Sequence, residues 1–257
     1  MDMELAGKTV LVTGASKGIG LAVAKGFAAE GCNLHLTSRT EAELQAAKGI
    51  IEQAHDVKVS IHPLDLAKPG AAEALWAAAG ENDILVNNAG AIPAGTVAAV
   101  DESRWREAWD LKVFGYINMT RLYLDAMSAR GHGVIVNVTG TAGENPRANY
   151  VAGSAGNAAL MAFSKAIGGS SVDNGVRVLA VNPGPVDTDR IRTMLKTWAE
   201  EEFGDPERWP ELTKKYPMGR AAKPEECADL VVFAASARAS YISGVVLTID
   251  GGAGARP

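Results

Sequence analysis

A glycine-rich segment near the amino terminus has the residue types and the spacing that bind phosphate groups. Residues 13–20 read TGASKGIG and lie between a short β-branched run and a segment with a helical period of apolar residues. Glycines at such a place permit a tight turn and bring backbone amides and a helix N-terminus close to a pyrophosphate. The spacing is one residue longer than the usual Rossmann fingerprint, and a purely structural turn is the alternative. The predicted pyrophosphate-binding residues are Gly14, Ser16, Lys17, Gly18, Ile19 and Gly20.

The end of the second predicted strand indicates which dinucleotide is bound. An acidic residue there would bind the free 2′-hydroxyl of NAD, whereas this strand ends in Ser38 and Arg39, with no carboxylate until Glu41. Arg39 carries a planar fork of donors that suits a 2′-phosphate, and Lys17 adds a second positive charge from the glycine loop. The alternative is a pair of solvated surface cations. The sequence therefore favours NADP(H) over NAD(H).

Strands and helices that alternate along the chain must position these residues. Predicted strands cover residues 8–13, 33–38, 57–63, 84–86, 134–139, 176–182 and 245–249. Predicted helices cover residues 18–31, 41–55, 71–79, 102–130, 150–171, 190–203 and 224–235. Strands that are apolar throughout and alternate with helices indicate a parallel sheet with helices on both faces. We therefore expect one α/β domain, residues 1–257, with the doubly wound sheet of a Rossmann fold.

The composition argues against several classes of protein. A net charge of −5 is unlike that of a nucleic-acid-binding domain, which normally presents a basic surface. No apolar stretch approaches the roughly 18 residues of a membrane span, and the first residues lack the pattern of a signal peptide. We therefore expect a cytoplasmic protein with no membrane partner. Cys32 and Cys227 lack metal-ligand spacing, so we expect two buried thiols and no metal site.

Several motifs in a fixed order resemble those of the classical short-chain dehydrogenase/reductase family over essentially the whole chain. They are TGASKGIG at 13–20, Asp65-Leu66, NNAG at 87–90, Tyr150, NPGPVDTD at 182–189 and Ile249-Asp250-Gly251-Gly252. The resemblance implies a nicotinamide cofactor, a small-molecule carbonyl or alcohol substrate, and a homodimer or homotetramer. It implies that the small-residue helix at 150–171 packs against a neighbouring subunit.

The resemblance also assigns residues to parts of the cofactor and substrate. It implies that Asp65 and Leu66 lie near adenine, and that Asn88, Ala89 and Gly90 lie along the ribose. The residues implied beside the nicotinamide are Pro183, Gly184, Val186 and Thr188. Residues 189–220, with Met194, Trp198, Phe203 and Trp209, resemble the variable lid that shapes the substrate pocket.

The catalytic pattern of the family is incomplete in this chain. The family uses a tyrosine as general acid/base and a lysine four residues later, on the same helical face, whose ammonium favours the ionised phenol. Tyr150 is present, but the fourth residue after it is Ser154. Lys165 lies eleven residues beyond Ser154, about 16 Å along a helix, and is too distant to replace the missing lysine.

Two further positions depart from the family's pattern. Gly140 falls on the place of the serine that holds the substrate carbonyl, so Thr139 or Thr141 would have to supply a hydroxyl, unless both merely end the strand. Lys112 falls on the place of an asparagine that anchors a proton-relay water. Apolar neighbours indicate that Lys112 is partly buried, and we predict that it supplies the missing positive charge. An ordinary exposed helix residue is the alternative.

Three functions are consistent with these residues. The first is an NADP(H)-dependent oxidoreductase that interconverts a secondary alcohol and a ketone, with Tyr150 donating the proton, Lys112 the positive charge, and Thr139 or Thr141 a substrate hydrogen bond. The second is an NADP(H)-binding sensor or scaffold with little dehydrogenase activity, because fold does not fix function. The third is an enzyme of the same fold that performs enoyl reduction or dehydration.

Overall fold

Short runs of β-branched and other apolar residues form the strands of one parallel sheet. The computed structural model describes residues 2–256. Within that range the strands are β1 Thr9–Thr13, β2 Asn33–Ser38, β3 Val59–Pro63, β4 Ile84–Asn87, β5 Gly133–Val138, β6 Val176–Pro183 and β7 Val246–Ile249. Their order in the sheet is β3-β2-β1-β4-β5-β6-β7, and every neighbouring pair is parallel. The predicted doubly wound α/β fold is confirmed.

Helices connect the strands and cover both faces of the sheet. They are α1 Gly18–Ala29, α2 Glu41–Ala54, α3 Ala71–Ala79, α4 Glu102–Trp109, α5 Gly115–Arg130, α6 Val151–Ser170, α7 Asp189–Phe203, α8 Trp209–Thr213 and α9 Pro224–Ala235. The single helix predicted over 102–130 was wrong in one respect, because a π-helical turn, Asp110–Phe114, separates α4 from α5. The short helix α8 was not predicted, since a Trp-Pro pair opens a segment of only five residues.

Alternate residues of each strand pack on opposite faces, and both faces are covered. Val10 and Val12 of β1 join a core that includes Phe27 of α1 and Val231 of α9. Leu11, between them, joins a second core with residues of α3 and α5. Continuous burial explains why the strands are apolar at every position rather than at every second one.

The two cysteines lie where the sequence places them, in the protein interior. Cys32 and Cys227 are both buried free thiols, and burial raises the pKa of each to about 12. The thiol of Cys32 donates to the carbonyl of Leu5 over 3.3 Å. Both residues act as small hydrophobic groups.

None of the helices in residues 2–256 is long and apolar enough to cross a bilayer.

A histidine pair links the two strands at one edge of the sheet. Nδ1 of His35 in β2 lies 2.9 Å from Nε2 of His62 in β3, and the rings are stacked. Burial lowers the pKa of both imidazoles, and for His62 the charge of His35 lowers it further. The pair is therefore held neutral, with one ring donating to the other.

We expect the free energy of unfolding to fall as the pH drops below about 6.5, the ordinary histidine value. Below that value the unfolded chain binds protons that the folded pair resists, so protonation favours unfolding. Denaturant titrations at pH 7.5 and 5.5 measure the loss. A His62→Gln variant should lose less stability between these pH values than the parent, while His55→Gln should behave as the parent. An equal loss in His62→Gln and the parent would contradict the assignment.

Candidate active site

A cleft of about 450 Å³ lies at the carboxyl ends of the strands, where the sheet order passes from β1 to β4. Crevices of this kind, at the point where strand order reverses, are where doubly wound sheets bind ligands. Most of the residues predicted from the sequence line it: Gly14, Ser16, Lys17, Gly18, Ile19, Ser38, Arg39, Leu66, Asn88, Ala89, Gly90, Lys112, Thr139, Thr141, Tyr150, Pro183, Gly184, Val186 and Thr188.

Two of the predicted cofactor residues do not line this cleft. Gly20 lies inside α1, where a Cβ would overlap the carbonyl of Gly14, so this glycine serves the packing of the helix on the loop. The carboxylate of Asp65 accepts from the backbone amide of Ala67 over 3.1 Å. Asp65 and Arg39 line a smaller adjoining cavity of about 200 Å³.

The glycine loop has the conformation that a pyrophosphate requires. Gly14 and Gly18 have φ values of +66° and +57°, in the region that favours glycine, and α1 begins at Gly18. A Cβ on Gly14 would stand 2.9 Å from Cα of Ala89. The side-chain amide of Asn88 donates to the backbone carbonyls of Thr13 and Gly14 and so fixes the loop. The loop thus presents a helix N-terminus to the cleft, and the residues present fit a dinucleotide phosphate.

The adenosine end of the cleft contains a carboxylate that sequence reasoning missed. Glu43, on the first turn of α2, accepts from the hydroxyl of Ser16 over 3.0 Å and from the ammonium of Lys17 over 3.3 Å. These hydrogen bonds lower the pKa of Glu43, and the charge of Arg39 contributes as well. The sequence indicated Glu41 as the first carboxylate after the second strand and did not predict that Glu43 contacts the glycine loop. Glu43 lies next to this loop because α2 begins beside it.

Two donors remain at this end for a ligand. Arg39 is exposed, lines the cleft and forms no ion pair within the described part of the chain. The hydroxyl oxygen of Ser38 is buried and has no hydrogen-bond partner in residues 2–256. An unpaired buried hydroxyl is costly unless a bound group satisfies it. Ser38 and Arg39 together therefore fit the oxygen atoms of a ribose or its phosphate.

Tyr150 is placed in the cleft by an unusual start of α6. It is the N-cap residue of this helix rather than part of its first turn. Its ring folds back over the helix, and a Cβ on Gly153 would overlap the ring carbons, so the ring occupies the place of a side chain at position 153. The hydroxyl accepts from the guanidinium of Arg190 over 3.2 Å.

Arg190 was not predicted to be a site residue. Its guanidinium also donates to the carbonyls of Gly90, over 2.9 Å, and Ile92, over 2.6 Å. Thr188 caps α7 by accepting from the amide of Ile191, which sets Arg190 on the first turn of the helix. The only signal in the sequence was an arginine directly after the NPGPVDTD motif. A guanidinium beside a phenol oxygen stabilises negative charge that develops there.

Lys112 lines the cleft from the π-helical turn, a kind of distortion that is frequent at functional sites. Its alkyl chain passes over Gly90, and its ammonium donates to the carbonyls of Val138, over 2.9 Å, and Thr139, over 3.4 Å. The ammonium also lies 5.1 Å from the ring centre of Tyr116. Burial, and then the charge of Arg190, lower the pKa of Lys112 to about 7. The alternative of an ordinary exposed lysine is not what the structure shows.

The two threonines differ in what their hydroxyls contact. The Thr139 hydroxyl is buried and lies 3.2 Å from the carbonyl of Val181 and 3.3 Å from Oδ1 of Asn182, so it is occupied by the fold. Thr141 is half-buried on the cleft wall, and its hydroxyl forms no hydrogen bond within residues 2–256. Of the two, Thr141 is the one free to contact a ligand.

The residue four positions after Tyr150 has a structural role. Ser154 is buried, and its hydroxyl accepts from the backbone amide of Arg147 over 3.0 Å. Asn157, one turn further along α6, lines the cleft and lies against Gly140, the residue that falls on the serine's place.

The segment 189–220 contributes only part of its apolar side chains to the cleft. Met194 and Trp198 line the cleft. Phe203 and Trp209 instead pack with Leu195 and Leu212 in a small core of the segment itself. Phe203 lies on the same helix as Met194 and Trp198 but does not line the cleft, and Trp209 begins α8. Composition alone does not distinguish these positions.

Comparison with known proteins gives relatives over the full length. A family model described as enoyl-(acyl carrier protein) reductase matches residues 14–254. The galactitol 2-dehydrogenase (L-tagatose-forming) of Cereibacter sphaeroides is 35% identical over 97% of this chain and 96% of its own length. The 3-oxoacyl-acyl-carrier-protein reductase of Escherichia coli (strain K12) is 32% identical over 97% of this chain and 98% of its own.

Solved structures with the same fold are equally complete matches. The L-sorbose reductase from Gluconobacter frateurii, complexed with NADPH and L-sorbose, has a TM-score of 0.89 and 32% identity, covering 98% of both chains. Levodione reductase has a TM-score of 0.92 at 26% identity, covering 98% of this chain and 99% of its own.

Proposed function

Because the chain belongs to the classical short-chain dehydrogenase/reductase family, we propose that it is an NADP(H)-dependent oxidoreductase that interconverts a secondary alcohol and a ketone. A short-chain oxidoreductase acting on CH–OH or keto groups is the level at which its relatives agree. The observation that carries the finer proposal is the hydroxyl of Tyr150, which lies in the cleft with the guanidinium of Arg190 against it.

Tyr150 is the proposed general acid/base. Its hydroxyl donates a proton to the substrate carbonyl oxygen in reduction, and its phenolate form takes a proton from the alcohol in oxidation. Arg190 stabilises the negative charge left on the phenol oxygen, because it already donates a hydrogen bond to that atom. Lys112 adds a second positive charge from the π-helical turn. A bound nicotinamide would supply or accept the hydride.

The cofactor would be held along the carboxyl edge of the sheet. The glycine loop, with the N-terminus of α1, would bind the pyrophosphate, and Ser38 and Arg39 would bind the adenosine ribose and its 2′-phosphate. Leu66 would pack near adenine, and Asn88, Ala89 and Gly90 would follow the ribose. The residues proposed beside the nicotinamide are Pro183, Gly184, Val186 and Thr188.

The substrate would lie between Tyr150 and the apolar wall formed by Met194 and Trp198. Thr141 replaces Thr139 as the proposed hydroxyl contact, since the Thr139 hydroxyl is occupied within the fold. We further propose a cytoplasmic enzyme for a small carbonyl or alcohol, assembled as a dimer or tetramer. Among the small residues in the first half of α6, Ala155, Ala158 and Ala159 are exposed and would be available to such an interface, whereas Gly153 and Gly156 are buried within the subunit.

The proposal is tested by following NADPH absorbance with a panel of ketones, keto acids and acyl thioesters, and NADP reduction with the matching alcohols. Turnover of at least one ketone–alcohol pair in both directions is expected. NADPH binding without turnover of any member would contradict the oxidoreductase and support the sensor or scaffold. Turnover restricted to an enoyl thioester would contradict alcohol–ketone exchange and support the enoyl reductase.

We expect NADP(H) to bind about tenfold or more tightly than NAD(H), which corresponds to about 1.4 kcal/mol. Arg39→Asp should reduce or reverse this preference, because it replaces a phosphate partner with a repelling carboxylate. Fluorescence titration with NADPH and NADH measures both dissociation constants, and Arg256→Asp, an exposed arginine that lines neither the cleft nor the adjoining cavity, is the matched control. Equal affinities in the parent would refute the preference.

A second change should strengthen NADP(H) binding. Glu43→Gln removes a negative charge that pairs with Lys17, so Lys17 becomes available to the 2′-phosphate. We expect a severalfold lower dissociation constant for NADPH and little change for NADH. The control is Glu41→Gln, which makes the same change in net charge at an exposed position on the same turn of α2. Weaker NADPH binding in Glu43→Gln would show that the carboxylate positions the loop instead.

A further inference from the structure

A buried side-chain amide in the cleft has an unpaired atom within the described residues. Asn157 is 4% exposed and lines the cleft from α6. Its Oδ1 atom, as placed, is sealed from solvent and has no hydrogen-bond partner in residues 2–256. A buried polar atom left unpaired is costly, whichever way the amide is turned. The amide therefore points to a bound group that forms a hydrogen bond with the amide atom facing the cleft.

Two glycines leave the space that this side chain occupies. The Nδ2 atom of Asn157 lies 2.9 Å from the point at which a Cβ on Gly140 would stand. A Cβ on Gly143 would come within 2.9 Å of the Cβ of Asn157. A side chain at either position would displace the asparagine, so the segment after β5 is shaped to receive it.

Lys112 reaches the same segment from the π-helical turn. Its ammonium donates to the carbonyls of Val138 and Thr139, the two residues before Gly140. The π-helical turn and α6 are packed together, since Val113 shares a small core with Leu160 of α6. The amide and the ammonium thus both lie against residues 138–140 beside the cleft.

The placement of Tyr150 explains why these two residues occur together. Because its ring fills the place of a side chain at position 153, the residue one helical turn beyond the ring is Asn157, not Ser154. The arrangement expected from the family has a lysine at the place of Ser154 on α6 and an asparagine at the place of Lys112. In this chain the lysine lies on the π-helical turn and an asparagine amide lies on α6, so the two kinds of group have exchanged elements.

We propose that the amide of Asn157 binds a hydroxyl group of the bound ligand, while Lys112 supplies from the π-helical turn the charge that α6 does not carry. A hydroxyl both donates and accepts, so it can form a hydrogen bond with whichever atom of the amide faces the cleft. Such a hydroxyl belongs either to a ribose of the dinucleotide or to the alcohol substrate. The inference rests on the proposed function for its choice of ligand, but not for the unpaired amide.

The first test replaces the amide with an apolar side chain of similar shape. Asn157→Leu is expected to keep or raise the melting temperature, because no protein hydrogen bond is lost. NADPH titration and the KM for substrate then distinguish the two sources. A dissociation constant for NADPH raised about tenfold identifies the ribose, and a KM raised about tenfold with unchanged NADPH binding identifies the substrate. Asn145→Leu, an exposed asparagine, is the control.

The second test exchanges the residues back. Lys112→Asn alone is expected to lower turnover about tenfold or more, and Asn157→Lys alone to lower it because Lys112 and Arg190 already place positive charge there. The double variant Lys112→Asn/Asn157→Lys should recover at least tenfold over the poorer single variant, a non-additivity that independent sites do not show.

Two results would overturn the inference. One is an Asn157→Leu variant that melts normally and keeps both the NADPH dissociation constant and the KM of the parent. The other is a folded, NADPH-binding double variant whose loss equals the sum of the single losses. If the parent turns over no substrate, the proposed function fails, and the NADPH titration of Asn157→Leu still decides whether the amide binds the ribose.

Discussion

The Tyr150→Phe variant is expected to lose about 10²–10⁴-fold in turnover, the usual contribution of a positioned general acid/base. Phenylalanine keeps the ring that lies over Gly153 and removes only the oxygen that accepts from Arg190. The fold and the glycine loop are untouched, so the dissociation constant for NADPH should stay within about twofold of the parent's. Initial rates and fluorescence titration measure the two quantities.

The matched control for this change is Tyr241→Phe, because the side chain of Tyr241 is fully exposed and lies outside the cleft. It should leave both quantities unchanged. If Tyr150→Phe retains the parent's turnover while Tyr241→Phe behaves as expected, proton transfer through Tyr150 is excluded. A parent protein that is inactive with every substrate is a separate outcome, and that outcome would favour the sensor or scaffold.

The Lys112→Met variant is expected to lose about tenfold or more in turnover and yet to unfold at a higher temperature. Methionine keeps the length and the apolar contact with Gly90 but removes the charge. The carbonyl of Val138 retains the hydroxyl of Tyr116 as a donor, and only the longer bond of 3.4 Å to the carbonyl of Thr139 is lost without a replacement. Lys165→Met, an exposed lysine on α6, is the control.

The gain in stability follows from the pKa of Lys112, which is about 7 in the folded protein against an ordinary value of 10.5. Between these values the unfolded chain binds more protons than the folded one, so the free energy of unfolding of the parent rises with pH across this range. Lys112→Met removes that dependence. Its advantage over the parent should therefore be full below pH 7 and disappear as the pH approaches 10.5.

These two measurements separate a functional lysine from a structural one. A lysine that serves the fold would lower the melting temperature when removed and leave turnover in proportion to the folded fraction. Unchanged turnover together with lower stability would make Lys112 a helix residue of the fold, and the proposed compensation for the missing lysine would be wrong.

The fold was predictable because the signals that specify it are local and repeated. The strand-forming runs around Val10 and Leu34, each followed by a helical period, indicate a parallel sheet covered on both faces. Several element ends agree to the residue, as for α3 and α9, where a glycine or a proline marks the boundary. The π-helical turn at Lys112 gives no such signal, because its residues are ordinary helix formers.

The details of the site depend on contacts between distant segments, and these have no local signal. Glu43 lies on the second helix, yet its carboxylate contacts the first loop. Arg190 is forty residues from the phenol that it contacts. The sequence prediction places Tyr150 within the helix, whereas Tyr150 is the N-cap residue of α6 and its ring lies over Gly153. The spacing therefore did not predict that Asn157 lines the cleft. A glycine at 153 is informative only when the ring above it is seen.

The three hydrogen bonds of Arg190 also link the cover of the cleft to the proposed chemistry. They join the first turn of α7 to the loop after β4 and to Tyr150, so a single side chain connects the cover of the cleft with its floor. In the proposed mechanism, a displacement of α7 that separated the guanidinium from the two carbonyls would also remove it from the phenol oxygen. The charge stabilisation proposed for Tyr150 therefore depends on the position of α7.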